Sequence, residues 1–120
     1  DFARFLSMIL NNGEFNGKRI LNNESISLMT ENLLPNNLGR NGLRNSFGDF
    51  AGNMYFGAGL GIVLKGDSEE KDYYWWAGAA NTFFWADPDN NTVGIFLSQH
   101  FPVSFNLIDK LESHVEESEI

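Results

Sequence analysis

Tyr73-Tyr74-Trp75-Trp76-Ala77-Gly78-Ala79-Ala80-Asn81-Thr82-Phe83-Phe84-Trp85-Ala86-Asp87-Pro88 is the stretch on which the fold turns. Two aromatic-rich runs flank Ala80-Asn81, and Asn is among the few non-glycine residues that accept left-handed backbone. Tyr73 to Ala79 and Thr82 to Ala86 therefore read as strands joined by a tight connection. Asp87-Pro88-Asp89-Asn90-Asn91 is a strong turn, and Thr92 to Ser98 is a nearly all-apolar third strand. Strands joined by such short connections pair antiparallel. Neighbouring residues on a strand face opposite sides, so the rings can fill a core on one side and line a groove on the other.

Upstream, Gly66 to Asp72 is a charged turn, and Tyr55 to Leu64 alternates large and small residues, which predicts one more strand with a glycine face. Asn36 to Asn53 is rich in Asn and Gly, carries Arg40 and Arg44, and reads as a long loop. At the start, Phe2, Phe5, Leu6, Ile9 and Leu10 recur at helical spacing behind Asp1, a candidate cap. Asn11-Asn12-Gly13 should stop that helix, Asn16-Gly17 is a second turn, and Lys18 to Leu21 is extended. Asn22 should cap a second helix bearing Ile26, Met29 and Leu33, which Pro35 ends after Leu34. Val103 to Glu117 is a third helix, with Leu107, Ile108, Leu111 and Val115 inward. The class is α+β: one domain over residues 1–120, an antiparallel sheet of about four strands flanked by helices.

With 120 residues the chain can bury one modest core. Sixteen acidic residues against eight basic give a net charge of −8, which repels phosphate backbones and argues against nucleic acid. No apolar run approaches the roughly 18 residues of a membrane span. The absence of Cys excludes disulfides and thiolate metal sites and leaves the compartment open. Asp1 stands directly against an amphipathic pattern, so the segment is expected to be a piece of a longer polypeptide.

Several motifs invite a chemical reading. Gly57-Ala58-Gly59-Leu60-Gly61 lacks the Lys-Ser/Thr that completes a phosphate loop. Ser68-Glu69-Glu70-Lys71 matches Ser-x-x-Lys, but two Glu in a polar turn would keep the amine charged, where a base must be neutral. Ser104-Phe105-Asn106 matches Ser-x-Asn and reads better as a capping turn. His100 and His114 form no ligand-spaced pair, and both are expected at the surface. Asp87, Asp89 and Asn91 alternate like a calcium loop but lack its Gly and its terminal Glu. No metal or other cofactor is expected.

Tyr74 to Pro88 resembles a late segment of the serine β-lactamase-like family of class C β-lactamases, DD-peptidases and related esterases. So do Asp1-Phe2-Ala3-Arg4-Phe5, Leu10 to Glu14, Gly17 to Leu21, Ser27-Leu28-Met29-Thr30 and Phe56 to Gly61. The resemblance covers nearly the whole chain and corresponds to the last third or so of a family member, hence a partial β-lactamase/transpeptidase-like fold. Such enzymes build their site from three boxes: Ser-x-x-Lys, Tyr-x-Asn or Ser-x-Asn, and a strand carrying Lys-Thr-Gly or variants such as Trp-Gly-Gly. Only the third maps here, onto Trp76-Ala77-Gly78; the Ser68 and Ser104 matches stand in the wrong order. The resemblance implies that Trp76, Ala77 and Gly78 wall a cleft, and that the N–H of Ala79 is one of two donors to a developing oxyanion. Trp76 in place of Lys removes the cation for a substrate carboxylate, which favours neutral esters or amides. Ala77 and Asn81 each stand where the esterase-like variants usually carry Gly.

The expectation is thus a C-terminal part of a serine hydrolase, inactive alone, acting on a small ester or amide within its parent. The alternative is a non-catalytic ligand-binding or degenerate scaffold domain with an aromatic-lined groove. Family members are often exported. The edge formed by Thr92 to Ser98 is expected to support dimerisation or strand swapping.

Overall fold

The computed structural model describes residues 1–35, 38, 54–66, 68–102, 110 and 114. The elements are α1 (Phe2–Leu10), β1 (Glu14–Phe15), β2 (Lys18–Arg19), α2 (Asn23–Thr30), β3 (Met54–Phe56), β4 (Gly61–Leu64), β5 (Lys71–Gly78), β6 (Thr82–Asp87) and β7 (Thr92–Phe96). β3 to β7 form one five-stranded sheet in chain order, antiparallel throughout, and β1–β2 is a separate hairpin.

α1 forms where the apolar spacing predicts it. Leu6 and Ile9 are buried, and Met8 is buried with them. Asp1 holds the N-cap position through its carbonyl, which accepts from the amides of Arg4 and Phe5; its side chain makes no capping bond. Phe2 stays 47% exposed, with its ring 5.6 Å from Phe5 and 4.6 Å from Phe84. The helix stops as expected: Gly13 has φ +90°, and its carbonyl accepts from Ile20 and Leu21, beginning the small hairpin. Asn16 and Gly17 both have positive φ, the geometry of the hairpin turn that Asn-Gly signals.

α2 starts on the Asn22 side chain, which accepts from Ser25 N–H at 2.8 Å. It ends at Thr30, before the expected Leu34. The cause is tertiary: the Ala58 amide donates to the Leu28 carbonyl, and the Leu33 amide to Phe56, so the chain turns extended to meet the sheet.

The predicted strand from Tyr55 to Leu64 is instead a hairpin, β3 and β4, which raises the sheet to five strands. Gly57 N–H closes onto the Leu60 carbonyl, and Gly59 takes φ +95°. A Cβ at Gly57 would collide with the backbone carbonyl of Met29, so this glycine is what lets α2 and the hairpin meet. The large–small alternation marks a close approach inside a turn.

The strand alternation splits the apolar residues between two faces. Ile62, Leu64, Tyr74, Phe84, Ala86, Val93 and Ile95 pack with Leu6, Ile9 and Ile26 of the helices. Met54, Trp75 and Phe83 form a second cluster with Tyr73, Trp85 and Phe96. There the Phe83 ring lies 5.7 Å from Trp85 at 21°, stacked, and 5.5 Å from Phe96. Lys110 and His114 are helical and exposed, and the rest of the predicted third helix lies outside the described residues. So do nearly all of the Asn36–Asn53 loop, Arg40 and Arg44 included, and the Ser104-x-Asn106 match.

Candidate functional site at the open end of strand β5

β5 is longer than its neighbour β4. β4 pairs with it from Lys71 to Trp75, while β6 pairs with it from Tyr74 to Gly78. Trp76, Ala77 and Gly78 therefore have a strand partner on one side, and among the described residues no strand lies along the other. Gly78 is half-buried at this edge, and Ala79 just beyond it is exposed.

The turn that follows fixes which backbone groups face outward. Gly78 pairs with Thr82, leaving a three-residue loop. The Asn81 amide donates to the Gly78 carbonyl at 3.0 Å, and Asn81 has φ +60°. This is the common hairpin of a turn followed by one left-handed residue, and Asn81 fills that place. In a strand, one residue's N–H and C=O share a side, and the next residue's point the other way. Since the Gly78 carbonyl points into the turn, the polar groups of Ala77 face the open edge. In a trans peptide the N–H lies opposite its C=O, so the Ala79 N–H, in the same unit as the Gly78 carbonyl, points out of the turn.

Gly78 has a packing reason as well. A Cβ there would come within 2.6 Å of the Thr82 hydroxyl across the strand pair. Trp76 packs edge-on against Phe56, with ring centres 4.9 Å apart at 81°. Beside this wall lies a groove of about 290 Å³ lined by Phe2, Trp76, Gly78, Phe84, Ile95 and Leu97. Among the described residues no ionisable side chain lines it. Tyr74, two residues before Trp76, has its phenol pushed up mainly by burial, against a hydrogen bond with Thr30, and so stays neutral.

Two donors, the Ser98 hydroxyl and the His100 amide, join the turn to the chain beyond β7. The Ser98 hydroxyl stands 2.9 Å from the carbonyl oxygens of both Ala80 and Asn81. The His100 amide donates to the same Ala80 carbonyl at 3.1 Å. Nothing in the sequence points to Ser98, which reads as the end of a strand; β7 in fact stops at Phe96.

The remaining motifs lie elsewhere and are not brought to this edge. Ser68 and Lys71 flank an exposed turn in which the Ser68 hydroxyl accepts from the Glu70 amide. The Asp87 carboxylate accepts from the amides of Asp89 and Asn90, closing its own turn. Among the described residues no cluster of His, Asp and Glu is suited to a metal ion.

Comparison with known proteins agrees with this architecture. The family model described as Beta-lactamase matches residues 1–115. Two proteins of Mycobacterium tuberculosis are similar at 28% identity over 109 residues: the uncharacterized protein MT1414 of strain CDC 1551 / Oshkosh and protein Rv1367c of strain H37Rv. The alignment takes in 85% of this chain and 27% of each relative, so the chain spans about a quarter of their length. A family match along nearly the whole chain, over an α+β fold with an antiparallel sheet, makes this segment a member of the beta-lactamase family, a serine-hydrolase-like domain.

Proposed function

We propose that this segment is the C-terminal part of a serine acyl hydrolase, in which it supplies one wall of the cleft and one hydrogen-bond donor. Trp76, Ala77 and Gly78 form the wall. The outward Ala79 N–H meets the negative charge that develops on a carbonyl oxygen as a serine attacks it; such a donor contributes about 10²–10³ in rate. The attacking serine and its base come from outside residues 1–120. The reaction passes through an acyl-serine: the serine oxygen bonds to the carbonyl carbon, the leaving group departs with a proton, and water then releases the acid.

The observation that carries this reading is the open edge of β5 at Trp76–Gly78, with the exposed Ala79 at its end. Among the described residues the groove beside it is lined by apolar side chains with no cation, which favours a neutral ester or amide over a substrate bearing a carboxylate. The same groove also supports the second reading, a binding module or degenerate scaffold without turnover.

Hydrolysis of p-nitrophenyl butyrate separates the two readings. The full-length protein should turn it over, the 120-residue segment should not, and Ser68→Ala should change nothing in the full-length protein. No turnover and no labelling by a fluorophosphonate would favour the scaffold. Loss of activity in Ser68→Ala would mean that the nucleophile lies in this segment.

We also propose that β7, the edge of the sheet among the described residues, mediates pairing of two copies, as Thr92 to Ser98 is apolar and Leu97 is 77% exposed. Light scattering should show a dimer at high concentration, and a strict monomer would contradict it.

A further inference from the structure

The hydrogen bonds around the β5–β6 turn run in one direction. Ser98 O–H and His100 N–H both donate to the Ala80 carbonyl. That carbonyl shares a peptide unit with the Asn81 N–H, which donates to the Gly78 carbonyl at 3.0 Å. The Gly78 carbonyl in turn shares its peptide unit with the Ala79 N–H. Two peptide units thus lie in series between Ser98 and the outward-facing amide. Each hydrogen bond accepted by a peptide carbonyl polarises that unit and strengthens its N–H as a donor, by about 10–30% per bond. The same chain fixes the planes of both units, because an accepted bond and a donated bond define the orientation of each.

From this geometry we infer that Ser98 is a positioning residue: through Ala80–Asn81 and then Gly78–Ala79, its hydroxyl orients and polarises the Ala79 N–H. The inference rests on the hydrolase reading for its catalytic consequence and on the hydrogen-bond chain alone for its structural one. Ser98 also stands 2.9 Å from the Asn81 carbonyl, so its one proton is shared between two acceptors of the same turn. Either way it ties the turn to the chain beyond β7, some 17 or 18 residues away. The His100 amide is a backbone group and survives substitution of its side chain, so Ser98 is the member of the relay that a substitution can remove.

The experiment compares wild type, Ser98→Ala and Ser98→Thr in the full-length protein, with amide NMR and with p-nitrophenyl butyrate kinetics. Ser98→Ala should move the amide proton resonances of Asn81 and Ala79 upfield and leave those of the Asp87–Asn91 turn in place. It should lower kcat roughly tenfold, less than the about 10²–10³ that loss of the donor itself would cost, with KM within about twofold. Ser98→Thr, which keeps the hydroxyl, should restore both the resonances and kcat. Unmoved Asn81 and Ala79 resonances in a folded Ser98→Ala protein overturn the relay, whatever the activity. Moved resonances with unchanged kcat in an active protein overturn the link from Ala79 to the reaction. Moved resonances in a protein with no wild-type turnover support the relay and remove the hydrolase reading instead.

Discussion

The two hairpin turns at opposite ends of β6 are built by different means. The β6–β7 turn is self-contained: Asp87 accepts from the amides of Asp89 and Asn90 and from the Asn90 side chain at 2.7 Å, all within three residues. The β5–β6 turn draws on Ser98 and His100 from beyond the next strand. The first would form in many contexts, because its residues supply their own acceptors. The second has its own Asn81-to-Gly78 bond and is tied in addition to the chain beyond β7. A turn held by remote donors can present a backbone amide at a defined angle, which a catalytic donor requires and a mere connection does not.

The comparison can be broken at several points. Gly78→Ala should have the largest effect, about 2 kcal/mol of stability, because the new methyl meets the Thr82 hydroxyl across the strand. Chemical denaturation measures this, and adding Thr82→Ala should recover most of the loss if that contact is the cause. Asp87→Ala should cost about 1.5 kcal/mol, since it removes an ionised acceptor for two amides. In the full-length protein it should leave ester turnover unchanged, whereas Ser98→Ala should not.

Asn81 and Asn91 sharpen the contrast, since both hold left-handed backbone, with φ of 60° and 52°. Replacing either with Ala should cost about 1 kcal/mol of backbone strain. Asn81 is 3% exposed while Asn91 lies at the surface. Any excess loss at Asn81 in a paired thermal-melt comparison then measures what the surrounding packing adds.

The smallest effect is electrostatic and belongs to the Asp87 end. Asp72 has its carboxyl pushed up, first by desolvation and then by Asp87 and Asp89, with Lys65 opposing. A carboxyl whose folded pKa exceeds its unfolded value of 3.8 favours folding below that value, and the benefit is lost as pH rises through the folded pKa. Asp72→Asn should therefore raise the Tm slightly at pH 7 and leave it unchanged at pH 3. A lower Tm at pH 7 would show that Asp72 is held by a favourable partner instead.

Much of this architecture is legible from local chemistry. The stripe of α1, the Asn16-Gly17 turn, the Asn22 cap and the Asp87 turn each depend on residues within a few positions of one another. The errors fall where distant backbone intervenes. α2 ends early because the Ala58 amide of the β3–β4 turn donates to the Leu28 carbonyl and the Leu33 amide donates to the Phe56 carbonyl, drawing the chain out toward the sheet before Pro35 is reached. Tyr55 to Leu64 read as one strand because alternation persists through a glycine turn whose shape is dictated by the Met29 carbonyl. At the candidate site, Trp76, Ala77 and Gly78 are singled out by family resemblance alone. That β4 stops short of them, and that Ser98 reaches their turn, depends on chain pairing that no local pattern encodes.

The most direct measurement is a crystal structure of the full-length protein carrying a fluorophosphonate adduct. The phosphonyl oxygen should lie about 3 Å from the Ala79 amide nitrogen, with the adduct on a serine outside residues 1–120. An oxygen beyond hydrogen-bond reach of Ala79, or an adduct on a serine within this segment, would contradict it.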